Sequence, residues 1–144
     1  MDDLKRLIIE AECTRLMHSF NWAVDAMDYD QVESLFDSEC IFSRADKYFY
    51  GYSGLRESLN GRPKDRTTRH LSSNIVIDIV DDDNATGKAC CVVYGYRGAI
   101  APGAEAHLGV PDSLILHETK FVRRDGKWRI AHLHIGLSFR KPAP

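Results

Sequence analysis

No apolar run in this chain approaches the roughly 18 residues that a membrane-spanning helix needs. The opening Met1-Asp2-Asp3-Leu4-Lys5-Arg6 also lacks the pattern of a secretory leader, so no membrane association is expected and a cytoplasmic location is. Positive charge is not in excess: 19 Lys and Arg stand against 21 Asp and Glu, with no long block of one sign. A nucleic-acid or acidic-lipid partner needs basic residues gathered on one face, so neither is expected. Cysteines are few, and none is spaced for a redox or metal motif. Cys13, Cys40, Cys90 and Cys91 form no C-x-x-C pair, and the adjacent two point to opposite faces of an extended run. They read as small buried apolar residues in a reducing compartment.

What is present is one domain's worth of periodic sequence. At 144 residues the chain can bury roughly two-thirds of its unfolded surface, and a single domain over residues 1–144 is expected. Between Asp3 and Met27, the residues Cys13, Leu16, Met17, Phe20, Val24 and Met27 recur at helical spacing, and a polar row of Thr14, His18, Asn21 and Asp25 runs along the flank. Asp28 is placed to cap a second helix from Tyr29 to about Phe36, with Gln31 completing a capping-box arrangement. Short strands are expected at Cys40–Ser43 and Lys47–Tyr50, then a third helix capped by Ser53 and running to about Leu59, closed by Asn60-Gly61 and followed by Pro63.

The remainder reads as sheet: strands 70–80 and 85–98 joined at Asp81–Asn84, then 113–124 and 128–138 joined through Asp125-Gly126. Trp128 and Ile130 are apolar on one alternation and Leu133, Ile135 and Leu137 on the other, which implies a bulge near Ala131. Residues 99–111, small and apolar with glycine and proline, form a long connection suited to a lid or an oligomer contact. Helices followed by a long meander give an α+β fold, with the helices packed in the concave face of a curved sheet and a pocket inside the resulting cone. Val92, Leu114, Leu116 and Val122 fall on strand faces that the interior does not use, so a homo-oligomer, dimer or trimer, is expected.

Thr67-Thr68-Arg69-His70-Leu71-Ser72-Ser73-Asn74 leads from the charged loop 62–66 into the run Ile75–Val80, which sets His70 at the mouth of whatever the sheet encloses. The Ile75, Ile77, Ile79 row lies on the opposite alternation. For His70 to face the same interior, the strand must kink or bulge between Leu71 and Asn74. By periodicity alone, Asp25 is a solvated carboxylate on a helix edge and His70 a strand-end hydrogen-bonding group. His132-x-His134 places two imidazoles on one strand face with His117 on the neighbouring strand, but no carboxylate or third ligand has metal-site spacing, and no metal is expected.

Val24-Asp25-x-x-Asp28-Tyr29-Asp30-x-Val32-x-x-Leu35-Phe36, Gly54-Leu55-Arg56, Arg69-His70-Leu71-x-x-Asn74 and Arg124-Asp125-Gly126-x-Trp128-Arg129-Ile130, in this order, resemble the SnoaL-like branch of the nuclear transport factor 2-like superfamily. The resemblance covers nearly the whole chain and implies a cone-shaped, cystatin-like fold with an antiparallel or mixed sheet. Within that superfamily the motifs are most similar to those of scytalone dehydratase and hexachlorocyclohexane dehydrochlorinase, cofactor-free lyases in which a helix aspartate orients a histidine base. Asp25 and His70 fall on those positions, and His117 on that of a pocket asparagine. Asn21, Tyr48, Tyr50, Cys91, Val93 and His117 are taken as the substrate-binding set. Val24, Arg44 and Gly95 replace two tyrosines and a histidine of scytalone dehydratase, so scytalone itself is not the expected substrate.

Three functions follow as expectations. The first is a cofactor-independent lyase or isomerase acting on a small hydrophobic, cyclic or aromatic molecule through an Asp25–His70 dyad. A polyketide-type cyclase begins with the same proton abstraction. The third is a non-catalytic ligand-binding or assembly subunit, like the small subunit of a ring-hydroxylating dioxygenase, because fold alone does not decide function.

Overall fold

A computed structural model describes residues 1–144. Its first element, α1 (Asp3–Asp25), starts where the Asp2 carboxylate accepts the Lys5 backbone N–H at 2.8 Å, satisfying a donor that a helix start leaves open. The apolar face buries Ile9, Cys13, Met17, Phe20, Ala23 and Val24. Met27, at φ 53°, lies outside the helix and turns the chain into α2 (Tyr29–Ser34), whose start is capped by Asp28 accepting the Gln31 N–H at 3.1 Å.

Strand β1 (Phe36–Arg44) begins four residues earlier than the sequence suggests. Phe36 is not the end of the second helix: it is fully buried and paired with Ile130, so the core, rather than helical spacing, decides its conformation. β2 (Lys47–Tyr50) runs directly into α3 (Gly51–Asn60), with Gly51 at φ 65° making the turn that Ser53 was expected to cap. The four long strands are β3 (Arg66–Ile79), β4 (Asn84–Arg97), β5 (Ser113–Arg124) and β6 (Lys127–Arg140). Asp125 at φ 52° and Gly126 at φ 75° form the β5–β6 turn, the left-handed pair that favours Asp-Gly.

The six strands lie in one sheet of order β2-β1-β6-β5-β4-β3. All neighbours are antiparallel except β1 and β6, so the sheet is mixed. Two bulges shape it. Lys120 pairs with His132 and Phe121 with Ile130, leaving Ala131 as the extra residue that brings Trp128, Ile130 and Leu133 onto one buried face. On β3, Ser73 pairs with Cys90 and Val76 with Lys88, so Asn74 and Ile75 oppose Ala89, and Asn74 sits at φ 53°. Helix α1 lies across the inner side against β3 and β6, and one core cluster of 19 buried residues joins helices and sheet. The outer face carries Val92, Leu114, Val122 and the more exposed Leu116 and Phe139. No helix is long and apolar enough to cross a membrane.

One placement differs in a way that matters for function. β3 starts at Arg66, four residues before His70, because Arg66 through Arg69 pair with Arg97 through Tyr94. His70 therefore stands inside a hydrogen-bonded strand rather than at the edge of a loop.

Candidate active site

The last turn of α1 passes over β3, and two flank residues of the helix reach the strand. Asn21, buried, donates through Nδ2 to Ser72 Oγ at 2.7 Å. One turn further, Asp25 accepts three hydrogen bonds: from His70 Nδ1 at 2.6 Å, from the His70 backbone N–H at 2.8 Å and from Thr68 Oγ1 at 2.8 Å. Both side chains of the pair are largely withdrawn from solvent, at 10% exposure for His70 and 7% for Asp25. Burial by itself would raise the Asp25 pKa; the bonds from His70 and Thr68 outweigh it and hold the carboxyl below its usual range. Asp25 is thus an anion at neutral pH. It commits Nδ1 of His70 as a donor, which leaves Nε2 as the ring nitrogen free to accept a proton.

His70 borders two cavities. The smaller, about 470 Å³, lies between the end of α1 and β3–β4 and includes Asn21, Trp22, Asp25, Tyr94 and Leu108. Leu108 is the contribution of the 99–111 connection, which has no regular structure. The larger, about 710 Å³, lies at the end of the sheet where β3 and β5 start and β4 and β6 finish, with Val93, Ile115, Ile135 and Leu137 as apolar wall and Arg44 and Arg62 at its border.

The expected substrate-binding residues divide. Val93 pairs directly with His70 across β3–β4 and lines the larger cavity. Cys91 is fully buried with Val93 and Ile115, and burial pushes its thiol pKa up, so it packs and does not react. His117 is buried against the edge of Phe20, with ring centroids 6.0 Å apart, and its Nε2 has no hydrogen-bond partner. Burial, and then the charge of His70, lower its pKa to about 4, so it is a neutral imidazole in the interior.

Tyr48 and Tyr50 are not brought to this site. They stack on each other on the edge strand β2, half or more exposed, and Tyr48 faces an outer hollow shared with His132 and His134. Alternation along a four-residue edge strand puts both rings on the same, outer side. There Ser43 Oγ lies 2.9 Å from His132 Nε2 and 2.7 Å from His134 Nδ1.

Sequence reasoning missed Thr68 and Arg62. Thr68 could have been found, since it precedes His70 by two residues and so shares its face. Arg62 could not, because its donation from Nη2 to Thr68 Oγ1 at 3.2 Å depends on how the preceding loop folds back.

Comparison with known proteins supports the same architecture. The sequence model described as a SnoaL-like domain matches residues 5–134. No functionally curated protein matches the sequence. Among solved structures, a protein of Novosphingobium aromaticivorans provisionally named a scytalone dehydratase superposes with TM-score 0.81 at 19% identity, covering 95% of this chain and 89% of its own. A hexachlorocyclohexane dehydrochlorinase of Novosphingobium barchaimii gives TM-score 0.81 at 19% identity, covering 99% and 94%. A nuclear transport factor 2-like protein with a cystatin-like fold from N. aromaticivorans gives 0.74 at 19%, covering 95% and 91%. At these identities the likeness is one of fold.

Proposed function

The chain belongs to the SnoaL-like domain family, and we propose that it is a cofactor-independent lyase or isomerase that uses His70 as general base and Asp25 as the group that orients it. The observation that carries this reading is the Nδ1–Oδ1 contact of 2.6 Å between two largely buried side chains that both line the smaller cavity, with His70 also bordering the larger.

Asp25 fixes the Nδ1–H tautomer and stabilises the imidazolium that forms when Nε2 takes a proton from carbon. In an elimination the electron pair of the broken C–H bond becomes a C=C bond and the leaving group departs with the C–X pair. Where that group is hydroxide, the imidazolium returns the proton to it and water leaves. In an isomerisation the same proton is delivered to another carbon. Cyclisation shares the first step. General-base catalysis supplies roughly 10²- to 10⁴-fold, so orientation and a dry pocket must contribute the rest. His117, neutral and buried, borders neither cavity that His70 lines, so it is not placed to meet the oxygen on which charge develops.

The test is proton exchange in D₂O with a panel of cyclic β-hydroxy ketones and related halides, followed by NMR. Exchange or elimination by the wild-type protein that disappears in His70→Ala is the expected outcome. Turnover that persists in His70→Ala, or a panel on which the wild-type protein is inert, counts against the reading.

A further inference from the structure

The larger cavity carries a charge imbalance that the dyad does not explain. Arg44, Arg62, Arg66, Arg97, Arg140 and Lys141 border it, against Asp112 as the one side-chain carboxylate. Arg66 and Lys141 both pair with Asp112, and Arg97 pairs with Asp65 at 3.2 Å on the outside. Arg44, Arg62 and the exposed Arg140 pair with no carboxylate, and of these Arg44 and Arg62 flank the apolar wall. Arg62 is half-buried, and its Nε is cut off from solvent with no hydrogen-bond partner. Arg44 lies over the Phe42 ring, 5.3 Å from its centroid. Although solvent reaches Arg44, its burial within the cleft and then the charges of Arg62 and Arg66 push its pKa below the ordinary arginine range.

Neighbouring guanidinium groups that repel one another at the border of an apolar cavity are unfavourable unless an anion joins them. A planar carboxylate matches guanidinium geometry and neutralises the paired charges. We propose that the molecule bound here is an organic acid, with its apolar body on Val93, Ile115 and Ile135 and its carboxylate held by Arg44 and Arg62.

The acid serves as an anchor. A carboxylate on the carbon that loses the proton would set its charge beside the developing carbanion, so the reacting carbon is a different one, next to a neutral carbonyl or a leaving group. Arg62 also touches the catalytic relay, since the hydroxyl to which it donates is the one that donates to Asp25. Thr68, accepting from Arg62, has its own proton directed at Asp25. The cyclic nature of the body and the reacting carbon rest on the lyase reading above; the acid class rests on the arginines.

Calorimetric titration with naphthoate and with naphthamide, which share a ring system and differ in charge, separates the two. The wild-type protein should bind the acid roughly tenfold or more tightly than the amide, as expected for charge-assisted hydrogen bonds. The preference should shrink with added salt and reach near parity in the Arg44→Gln/Arg62→Gln double variant. It should persist in Arg97→Gln, whose partner lies outside, and the measurement is of binding without turnover, so a failed catalytic reading leaves this result readable. Equal binding of acid and amide by the wild-type protein, no binding of any acid in a panel of one- and two-ring aromatic acids, or a preference that survives the double variant overturns the proposal. The wild-type comparison needs no variant, so a misfolded variant cannot protect it.

Discussion

His70 and Ile75 serve the same interior although they stand five positions, an odd offset, apart along β3. His70 bonds Asp25 of α1, and Ile75 packs on the core beneath the same helix. A regular strand would send them to opposite faces. The extra residue at Asn74–Ile75, with Asn74 in the left-handed region, resets the alternation, so that residues before it build the site and residues after it build the core.

Asn74 is therefore predicted to be a conformational requirement of the site. Asn74→Gly should leave stability within a few tenths of a kcal/mol, whereas Asn74→Val, forced to φ near 53°, should cost about 1 to 2 kcal/mol in urea unfolding. A valine variant that escapes the strain by losing the bulge would turn the Thr68–His70–Ser72 row outward. It should lose activity although position 74 does not border either cavity that His70 lines.

Asp25→Asn keeps the shape of the pocket but replaces an anion that accepts three hydrogen bonds with a group that accepts fewer and also donates. With a substrate identified by proton exchange, kcat should fall roughly 10²- to 10⁴-fold with little change in KM. A proportional rise in KM at constant kcat would show that Asp25 serves binding instead.

His117 makes a prediction about acid stability. Its folded pKa of about 4 lies below the ordinary value of 6.5, so the unfolded chain binds the extra proton between those values. Its contribution is fully present above pH 6.5 and is lost as pH falls towards 4, by on the order of 3 kcal/mol in total. His132, also lowered by burial, acts in the same direction. The difference between wild-type protein and His117→Asn isolates the interior residue: urea unfolding at pH 7.5 and 5 should show a markedly smaller acid loss in the variant.

Gly95 leaves room for an ion pair. A Cβ there would lie 2.0 Å from Asp112 Oδ2 and 3.3 Å from Arg66 Nε, so Gly95→Ala must displace the carboxylate that holds Arg66 and Lys141. Hydrogen exchange should rise in residues 99–112 and in the tail from Lys141, with a stability loss of about 1 kcal/mol. Gly136→Ala, whose nearest contact would be 3.9 Å away, is the neutral control.

Much of this architecture was open to reading because the information is local. The apolar stripe of α1, the Asp28 cap, the Asp125-Gly126 turn and the parity change at Ala131 each follow from the conformational preferences of a few neighbouring residues, and each is where the alternation placed it. Asp25 and His70 were paired by resemblance, and their partners were only partly visible: Thr68 shares His70's strand face, while Asn21 marks the helix face that meets it. What tertiary structure alone decided lies at long range. Phe36 belongs to a strand because a parallel partner, Ile130, waits on β6; Tyr48 and Tyr50 face outward because β2 is an edge; and Arg44 and Arg62 meet at one cavity although a strand, a helix and a loop separate them. Neighbouring residues set backbone angles, but which side chains share a wall depends on strand order and register, and those are settled by burial of the whole core at once.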